Sequence, residues 1–275
     1  MNRSCRSILI PGLLIAIGRP QAALPAEPGA SQPASAPVAS APAAVDPEVE
    51  RILDRLERRG AEIRDIETDL TFVKTDPVLE DTQKFTGTLL FRQDTPNPRF
   101  LIRFDRFEQE GVVRDKREWH AFDGTWYTEA RESTRTIVRR QIVRPGEAVE
   151  VFRLGQGPFP LPFGQKKAEI LAHFRVRILP AAPDDPPDTV HLECTPIPGT
   201  QMAEKYGTVH FLIDRRLDLP VRVRTVEKAE GYEIAASFPA AGIRVNRGLP
   251  AGALSLPDLP DFQVDTVPLP PPEAP

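Results

Sequence analysis

The sequence predicts a mainly β protein with a few helices, built as a single strongly curved antiparallel sheet, an unclosed β-barrel, that is plugged by helices. Three features indicate this fold class: recurring segments of alternating apolar and polar residues, one amphipathic helix before them, and an apolar stretch rich in proline and glycine between them. A sheet of about eleven strands must curl or close, because otherwise it exposes a long edge. Two packed sheets would hold the strands equally well but give the helices no obvious place.

The two ends of the 275-residue chain differ in composition from its middle. Residues 1–23 have a basic start, a short apolar run and small residues at the end, which is typical of a secretory signal peptide. The run is too short for an ordinary membrane span, although an uncleaved anchor is the alternative. Residues 24–45 are predicted to form an Ala/Pro-rich disordered spacer, residues 46–266 the folded domain, and residues 267–275 a Pro-rich tail.

Charge argues against a nucleic-acid-binding protein, and cysteine content argues against a disulfide-stabilised one. The chain has 35 basic and 39 acidic residues, and removal of the signal peptide takes away three arginines, which leaves 32 basic residues. This acidic balance argues against nucleic acid as a partner, because backbone binding needs a positive field. Cleavage also leaves Cys194 as the single thiol, so no internal disulfide can form, and we expect Cys194 to be a small buried apolar residue.

The folded part is predicted to open with a helix over residues 46–66. Asp46 can cap it, Pro47 suits its first turn, and apolar residues recur at spacings of three and four up to Ile66. Gly60 weakens the pattern. At Thr68 the period changes to two, and strands are predicted at residues 68–75, 84–93, 99–107, 117–122, 125–130 and 134–143.

The second half begins with an irregular apolar segment, residues 145–164, in which prolines and glycines prevent regular structure. A short helix is predicted within residues 165–174. Strands then follow at residues 175–179, 188–196, 207–214, 219–228 and 231–239. A flap of proline, glycine and phenylalanine can cover an apolar surface and move, as an acyl-chain site requires.

A search for catalytic residues finds little. Glu118 and His120 share one strand face, as do His191 and Glu193, but a zinc site needs a third ligand, so we interpret both as exposed polar pairs. The chain has no G-x-S-x-G elbow and no phosphate loop between a strand and a helix. We therefore predict a protein that is not an enzyme and has no cofactor. A hydrolase of envelope polymers with two carboxylates distant in sequence stays an alternative.

Six features follow one another in the folded part: the leading helix, the strand containing Gly87, the strand after Pro98, the Asp123-Gly124 hairpin, the apolar segment 157–171 and the closing segment 255–267. Their order resembles that of the LolA-type periplasmic carriers of lipoproteins. Together they span most of the folded part, although each motif is short.

The resemblance implies a periplasmic protein that binds the acyl chains of lipoproteins in an apolar cavity and shuttles them from the inner to the outer membrane. It implies a monomeric, chaperone-like transport protein of outer-membrane biogenesis that meets an inner-membrane release complex and an outer-membrane acceptor. Arg92 is the candidate contact to the helical lid, because Asn97 stands where the better-known carriers have arginine. The candidate acyl-chain residues are Leu70, Phe72, Leu89, Phe91, Phe100, Ile102, Phe104, Trp119 and Trp126, with Phe159, Leu161 and Phe163 in the cover.

Two further functions are compatible with the same fold. Proteins with LolA-like folds include envelope sensors and interaction modules, which need a stable protein partner rather than a releasable lipid. The cargo of a carrier with this fold can also be another amphiphile, since a fold does not fix its ligand. The assignment of residues to the cavity rests on the period of two, and a register slip would reverse a strand.

Overall fold

The computed structural model describes residues 45–148 and 162–270. Its helices and strands follow the predicted order, with two short strands and one short helix in addition. The helices are α1 (Pro47–Glu62), α2 (Lys167–His173) and α3 (Gln201–Lys205); the strands are β1 (Asp65–Asp76), β2 (Asp81–Arg92), β3 (Arg99–Gln109), β4 (Val112–Phe122), β5 (Trp126–Arg131), β6 (Thr136–Gln141), β7 (Phe174–Leu179), β8 (Thr189–Pro196), β9 (Tyr206–Asp214), β10 (Leu219–Glu227), β11 (Glu233–Ser237), β12 (Arg244–Val245) and β13 (Gln263–Val267).

All thirteen strands belong to one sheet, with the order β13-β6-β5-β4-β3-β2-β1-β11-β10-β9-β8-β7, while β12 pairs with β1. Neighbouring strands are antiparallel except β13 and β6, which are parallel. The sheet is curved and unclosed, because β13 and β7 each have a single neighbour within the described chain. This confirms the predicted fold class. No helix of the described residues is long and apolar enough to cross a membrane.

Helix α1 begins as predicted but ends earlier. The Asp46 side chain accepts a hydrogen bond of 2.8 Å from the Glu48 amide, and Pro47 occupies the first turn. The helix ends at Glu62, not at Ile66, which lies in β1. The cause is a contact that is distant in sequence: the Asn246 side-chain amide donates to the Glu62 carbonyl at 2.8 Å, so the end of the helix is fixed from the C-terminal part of the chain.

One face of the sheet carries a nearly continuous apolar surface, which we call the inner face. Helix α1 packs there against β8, β9 and β10 through Ile52 and Leu53. A second apolar group spans β1, β2 and β3. Val223 in the first group lies directly opposite Ala236 in the second, so both groups share this face. The buried side of α1 therefore covers one half of the inner face, as a plugging helix should.

The opposite face, the outer face, is also partly covered. Residues 254–262 form an irregular segment whose apolar side chains pack against β3, β4 and β5. This contact buries Trp119 and Ala130 on the outer face. The sequence does not predict that the closing segment 255–267 contributes a cover to this side of the sheet.

Asn97, in the connection between β2 and β3, joins three loops. Its side-chain amide donates to the carbonyls of Gly124 at 2.9 Å and Glu147 at 2.8 Å, and the residue is buried. We expect Asn97→Ala to lower the free energy of unfolding by about 2 kcal/mol, because two carbonyls lose their donor. Urea unfolding followed by circular dichroism measures this change. The control is Gln93→Ala, an exposed residue in the same β2–β3 connection, which should change the free energy of unfolding by less than about 0.5 kcal/mol.

Candidate ligand-binding face

Seven of the residues predicted to line the acyl-chain cavity or its cover pack together on the inner face. Phe91 and Phe100 lie opposite each other on β2 and β3, and Leu89 lies opposite Ile102. Phe72 is partly buried and packs against this group. The strand faces predicted for β2 and β3 are thus the observed ones; the residues that come together are Leu70, Leu89, Phe91, Phe100, Ile102, Phe104 and Phe163.

The two tryptophans do not join this group. Trp119 packs on the outer face beside Leu101 and Ala121, and the Trp126 ring lies 5.2 Å from the guanidinium carbon of Arg139. Phe122 and Tyr127 take the inner positions of the hairpin instead. No local signal distinguishes this pair from the tryptophans, since both faces of β4 are buried from Glu118 to Phe122.

The predicted cover and lid contact are placed only in part. Phe159 and Leu161 lie outside the described residues. Phe163 is buried, with its ring centroid 5.3 Å from that of Phe238 and 6.5 Å from that of Phe91. The Arg92 guanidinium binds Asp94 at 3.0 Å.

Four phenylalanine rings, Phe72, Phe85, Phe104 and Phe107, form a cluster at one end of the inner face. Phe85 is its centre, with ring centroids of Phe104 and Phe107 at 5.4 and 4.9 Å. Lys116 Nζ lies above two of the rings, 5.2 Å from the Phe85 centroid and 4.6 Å from the Phe107 centroid. A cation above an aromatic face is stabilised by the ring quadrupole. The cluster is therefore apolar at its base and charged at its edge.

A row of polar side chains continues from Lys116 along β4 and β5. Glu118 and His120 do share a face, but they are buried, with only 2% and 3% of their surface exposed, so the prediction of an exposed pair is wrong. Lys116 Nζ binds Glu118 at 2.8 Å, and His120 Nδ1 lies 2.8 Å from the Tyr127 hydroxyl. One contact runs along β4 and the other crosses the hairpin, so Glu118 and His120 each have a polar partner in the protein interior.

Electrostatics keep this row close to neutral. Burial and then the nearby Arg131 guanidinium lower the pKa of His120 to about 3, so the imidazole is uncharged at neutral pH. Burial also raises the pKa of the Tyr127 hydroxyl well above its usual value. Arg131 in turn contacts Glu129, its neighbour on the same inner side of β5. The row thus offers dipoles and paired charges rather than a free charge.

A second buried polar group lies on the outer face of β8 and β9. His191 Nδ1 lies 3.0 Å from Asp185 Oδ2, and His191 Nε2 lies 3.0 Å from His210 Nδ1. His191 is buried, so its predicted exposure is also wrong. Burial, followed by the Arg224 charge, lowers the pKa of His210 to about 4. Among the described residues, no three histidine, cysteine or acidic side chains are placed to hold a metal ion.

Cys194 lies on the inner side of β8 in the group that α1 covers. It is fully buried, as predicted, and forms no disulfide. Burial raises the pKa of its thiol, so the reactive thiolate is suppressed. The residue contributes packing rather than chemistry.

Known structures with a similar arrangement cover most of the chain at low identity. A conserved protein from Thermus thermophilus has 10% identity and a TM-score of 0.47, with 80% of this chain and 99% of that chain covered. The MucA/MucB complex of Pseudomonas aeruginosa has 15% identity and a TM-score of 0.38, with 80% and 64% covered. A LolA superfamily protein from Nitrosomonas europaea has 10% identity and a TM-score of 0.34, with 75% and 97% covered.

The similar structures also include a putative outer membrane lipoprotein-sorting protein domain from Vibrio parahaemolyticus, with 12% identity and a TM-score of 0.36, and 75% of this chain and 97% of that chain covered. No protein-family model and no curated protein sequence matches the chain. With TM-scores below 0.5, these similarities carry no information about the ligand.

Proposed function

We propose that this protein is a periplasmic carrier that binds the acyl chains of lipoproteins on the inner face of its sheet and moves them from the inner to the outer membrane. The observation that carries the proposal is the division of this face: phenylalanine and aliphatic side chains on β1 to β3 lie beside a buried polar row on β4 and β5. A lipidated protein has the same division, since its acyl chains are apolar and its linkage to the peptide is polar.

Burial of acyl chains supplies the affinity of such a carrier. Each methylene group removed from water contributes about 0.8 kcal/mol, so about ten carbons in contact with the inner face supply roughly 8 kcal/mol, before the entropic cost of association is subtracted. The polar row orients the bound lipid, because buried dipoles accept a partly polar linkage more readily than a wholly apolar chain. Such a carrier forms no covalent bond and needs no cofactor. Its partners are an inner-membrane complex that releases the cargo and an outer-membrane acceptor.

The test is a release assay with a pair of adjacent substitutions on β1. Phe72 is partly buried in the phenylalanine cluster, and Val73 points to the other face, opposite Lys84. Purified protein is added to spheroplasts, and acylated lipoproteins in soluble complexes with it are quantified. We expect Phe72→Asp to reduce the recovered complex at least about tenfold, because a carboxylate on the cargo surface must be desolvated.

Val73→Asp introduces the same charge one residue away and should leave cargo recovery within about twofold of the unchanged protein. Circular dichroism spectra and secretion must be equal for the two variants. Equal loss of cargo in both, or retention in both, would show that the inner face is not the cargo site.

A second candidate function, an interaction module of an envelope complex, is favoured by exposed aliphatic side chains. Val78 and Leu79 at the β1–β2 turn are 82% and 72% exposed, and Val112 and Val113 after the β3–β4 turn are 50% and 58% exposed. Both turns lie at the same end of the sheet, and exposed apolar patches mark contact surfaces. This function predicts a stable protein partner that is lost when all four residues are changed to serine, with no lipid bound to the purified protein.

A further inference from the structure

A cavity of about 500 Å³ lies on the outer face, between the sheet and the C-terminal segment. Its floor is formed by Trp126 and Ile137 of β5 and β6, and its roof by Leu254 and Leu256. Ligand pockets of proteins have volumes of roughly 300–1,000 Å³. The cavity therefore has room for a small molecule, and the sheet itself separates it from the inner face.

Three arginines, Arg92, Arg99 and Arg139, line the same cavity. Arg92 and Arg99 both bind Asp94. Arg139 has no ion pair within the described chain, and its guanidinium carbon lies 5.2 Å from the centroid of the Trp126 ring. The third arginine therefore adds a positive charge that no carboxylate offsets.

Asp123 is the acidic residue of the lining. Its Oδ1 accepts hydrogen bonds from the amides of Thr125 at 2.9 Å and Trp126 at 2.8 Å, so it is engaged in holding the hairpin turn. Together with Asp94 it supplies two negative charges against three guanidinium groups. The cavity is thus positively charged at one side and apolar at its floor and roof.

We propose that this cavity binds a single-chain amphiphile with one anionic head group. The head group lies at Arg139, whose guanidinium can form two parallel hydrogen bonds to a carboxylate or a phosphate. The chain lies between Trp126 and the leucines of the roof, where its contact with water is removed. A cationic amphiphile of equal length is excluded by charge, and an anion without a chain lacks the apolar contact.

This site is independent of the proposed acyl-chain site on the inner face. On β6, Arg139 pairs across the strands with Thr128 and faces outward, whereas the adjacent Arg140 pairs with Tyr127, whose ring lies on the inner face. Failure of the carrier function would leave the outer cavity unaffected. The two sites can be tested separately, because adjacent residues of one strand point to opposite faces.

The experiment is isothermal titration calorimetry of the mature chain with decanoate, decyl phosphate, decyltrimethylammonium and acetate. We expect decanoate or decyl phosphate to bind with one-to-one stoichiometry, and acetate and the cation not to bind. Arg139→Gln should weaken binding about tenfold or more, because a charge-assisted bidentate contact is lost. Arg140→Gln, the matched control, should leave affinity within about twofold.

A second pair of variants identifies the location. Binding that survives Phe72→Asp and is lost in Arg139→Gln supports the outer cavity, and fluorescence of Trp126 in a Trp119→Phe background should then change with the same dissociation constant. Binding lost in Phe72→Asp but kept in Arg139→Gln places the amphiphile on the inner face and overturns the proposal. Equal affinity for the cation, or no binding of either anion, overturns it too. The better of the two anions shows whether the head group is a carboxylate or a phosphate.

Discussion

Replacing Gly87 by alanine is expected to destabilise the protein by about 3 kcal/mol or more. A Cβ atom at this position would lie 1.8 Å from the carbonyl oxygen of Arg103 and 2.8 Å from the Cα of Phe104. Both are backbone atoms of β3, so no side-chain rotation relieves the clash, and the strands must separate. Equilibrium urea unfolding followed by circular dichroism measures the loss, which should appear as a lower midpoint.

Gly207 provides the matched control. It also lies in a strand, β9, and a Cβ there would meet nothing closer than the Val226 carbonyl oxygen at 3.8 Å, an ordinary contact. Gly207→Ala should therefore be within about 0.5 kcal/mol of the unchanged protein, or slightly more stable, since alanine reduces the entropy of the unfolded chain. If Gly87→Ala unfolds at the same urea concentration as Gly207→Ala, β2 and β3 do not approach each other as closely as described.

The close approach at Gly87 has consequences for the candidate site. The pairing of β2 and β3 shifts register between Thr86 and Gly87, and Phe104 lies directly opposite Gly87. Because Gly87 has no side chain, the rings of Phe85 and Phe104 occupy the inner surface at this position, with their centroids 5.4 Å apart. Both the close pairing of β2 with β3 and the packing of the phenylalanine cluster therefore require glycine at position 87.

Most of the sheet could be predicted because the alternation of apolar and polar residues is a local property of each strand. Alternation along β2 and β3 identifies Leu89, Phe91, Phe100 and Ile102 as one face, and the structure places them together. A period of two depends only on side-chain direction along a strand, which neighbouring residues fix by themselves. The segments between prolines and glycines therefore gave correct strands without knowledge of their partners.

The hairpin of β4 and β5 could not be oriented in the same way. Residues 118–122 of β4 are all buried, so apolar residues occur on both of its faces and the alternation that distinguishes inside from outside is lost. The outer cover consists of residues 254–262, which are irregular and more than a hundred positions away. The sequence predicts an inner position for Trp119, because nothing local indicates that such a cover exists.

The sequence does not predict the buried polar row, for a related reason. Glu118 and His120 are polar by type, and most such residues are exposed. Their burial depends on Lys116, on Tyr127 across the hairpin and on the curvature of the whole sheet. These partners lie beside Glu118 and His120 only in the folded chain, so the pattern of residue types alone favours the surface.

Acidification is expected to destabilise the protein through His120. The pKa of this imidazole is lowered from 6.5 to about 3, first by burial and then by Arg131. Glu118 lies 4.0 Å from His120 Nε2 but is bound by Lys116 at 2.8 Å, which leaves burial and Arg131 dominant. Below pH 6.5 the His120 imidazole is protonated in the unfolded chain but stays neutral in the folded chain. The free energy of unfolding therefore falls as the pH drops toward 3.

The contribution of His120 between about pH 7 and pH 4.5 is on the order of 2 kcal/mol. His120→Asn keeps a polar atom near the Tyr127 hydroxyl but cannot titrate. Between about pH 7 and pH 4.5 its free energy of unfolding should therefore fall by about 2 kcal/mol less than that of the unchanged protein. The slope is compared rather than the level, because the substitution can change stability at every pH. His210, whose pKa is lowered to about 4, contributes equally to both proteins and cancels. Parallel curves for the two proteins would mean that His120 is hydrated, and the buried polar row would then be open to water on the inner face.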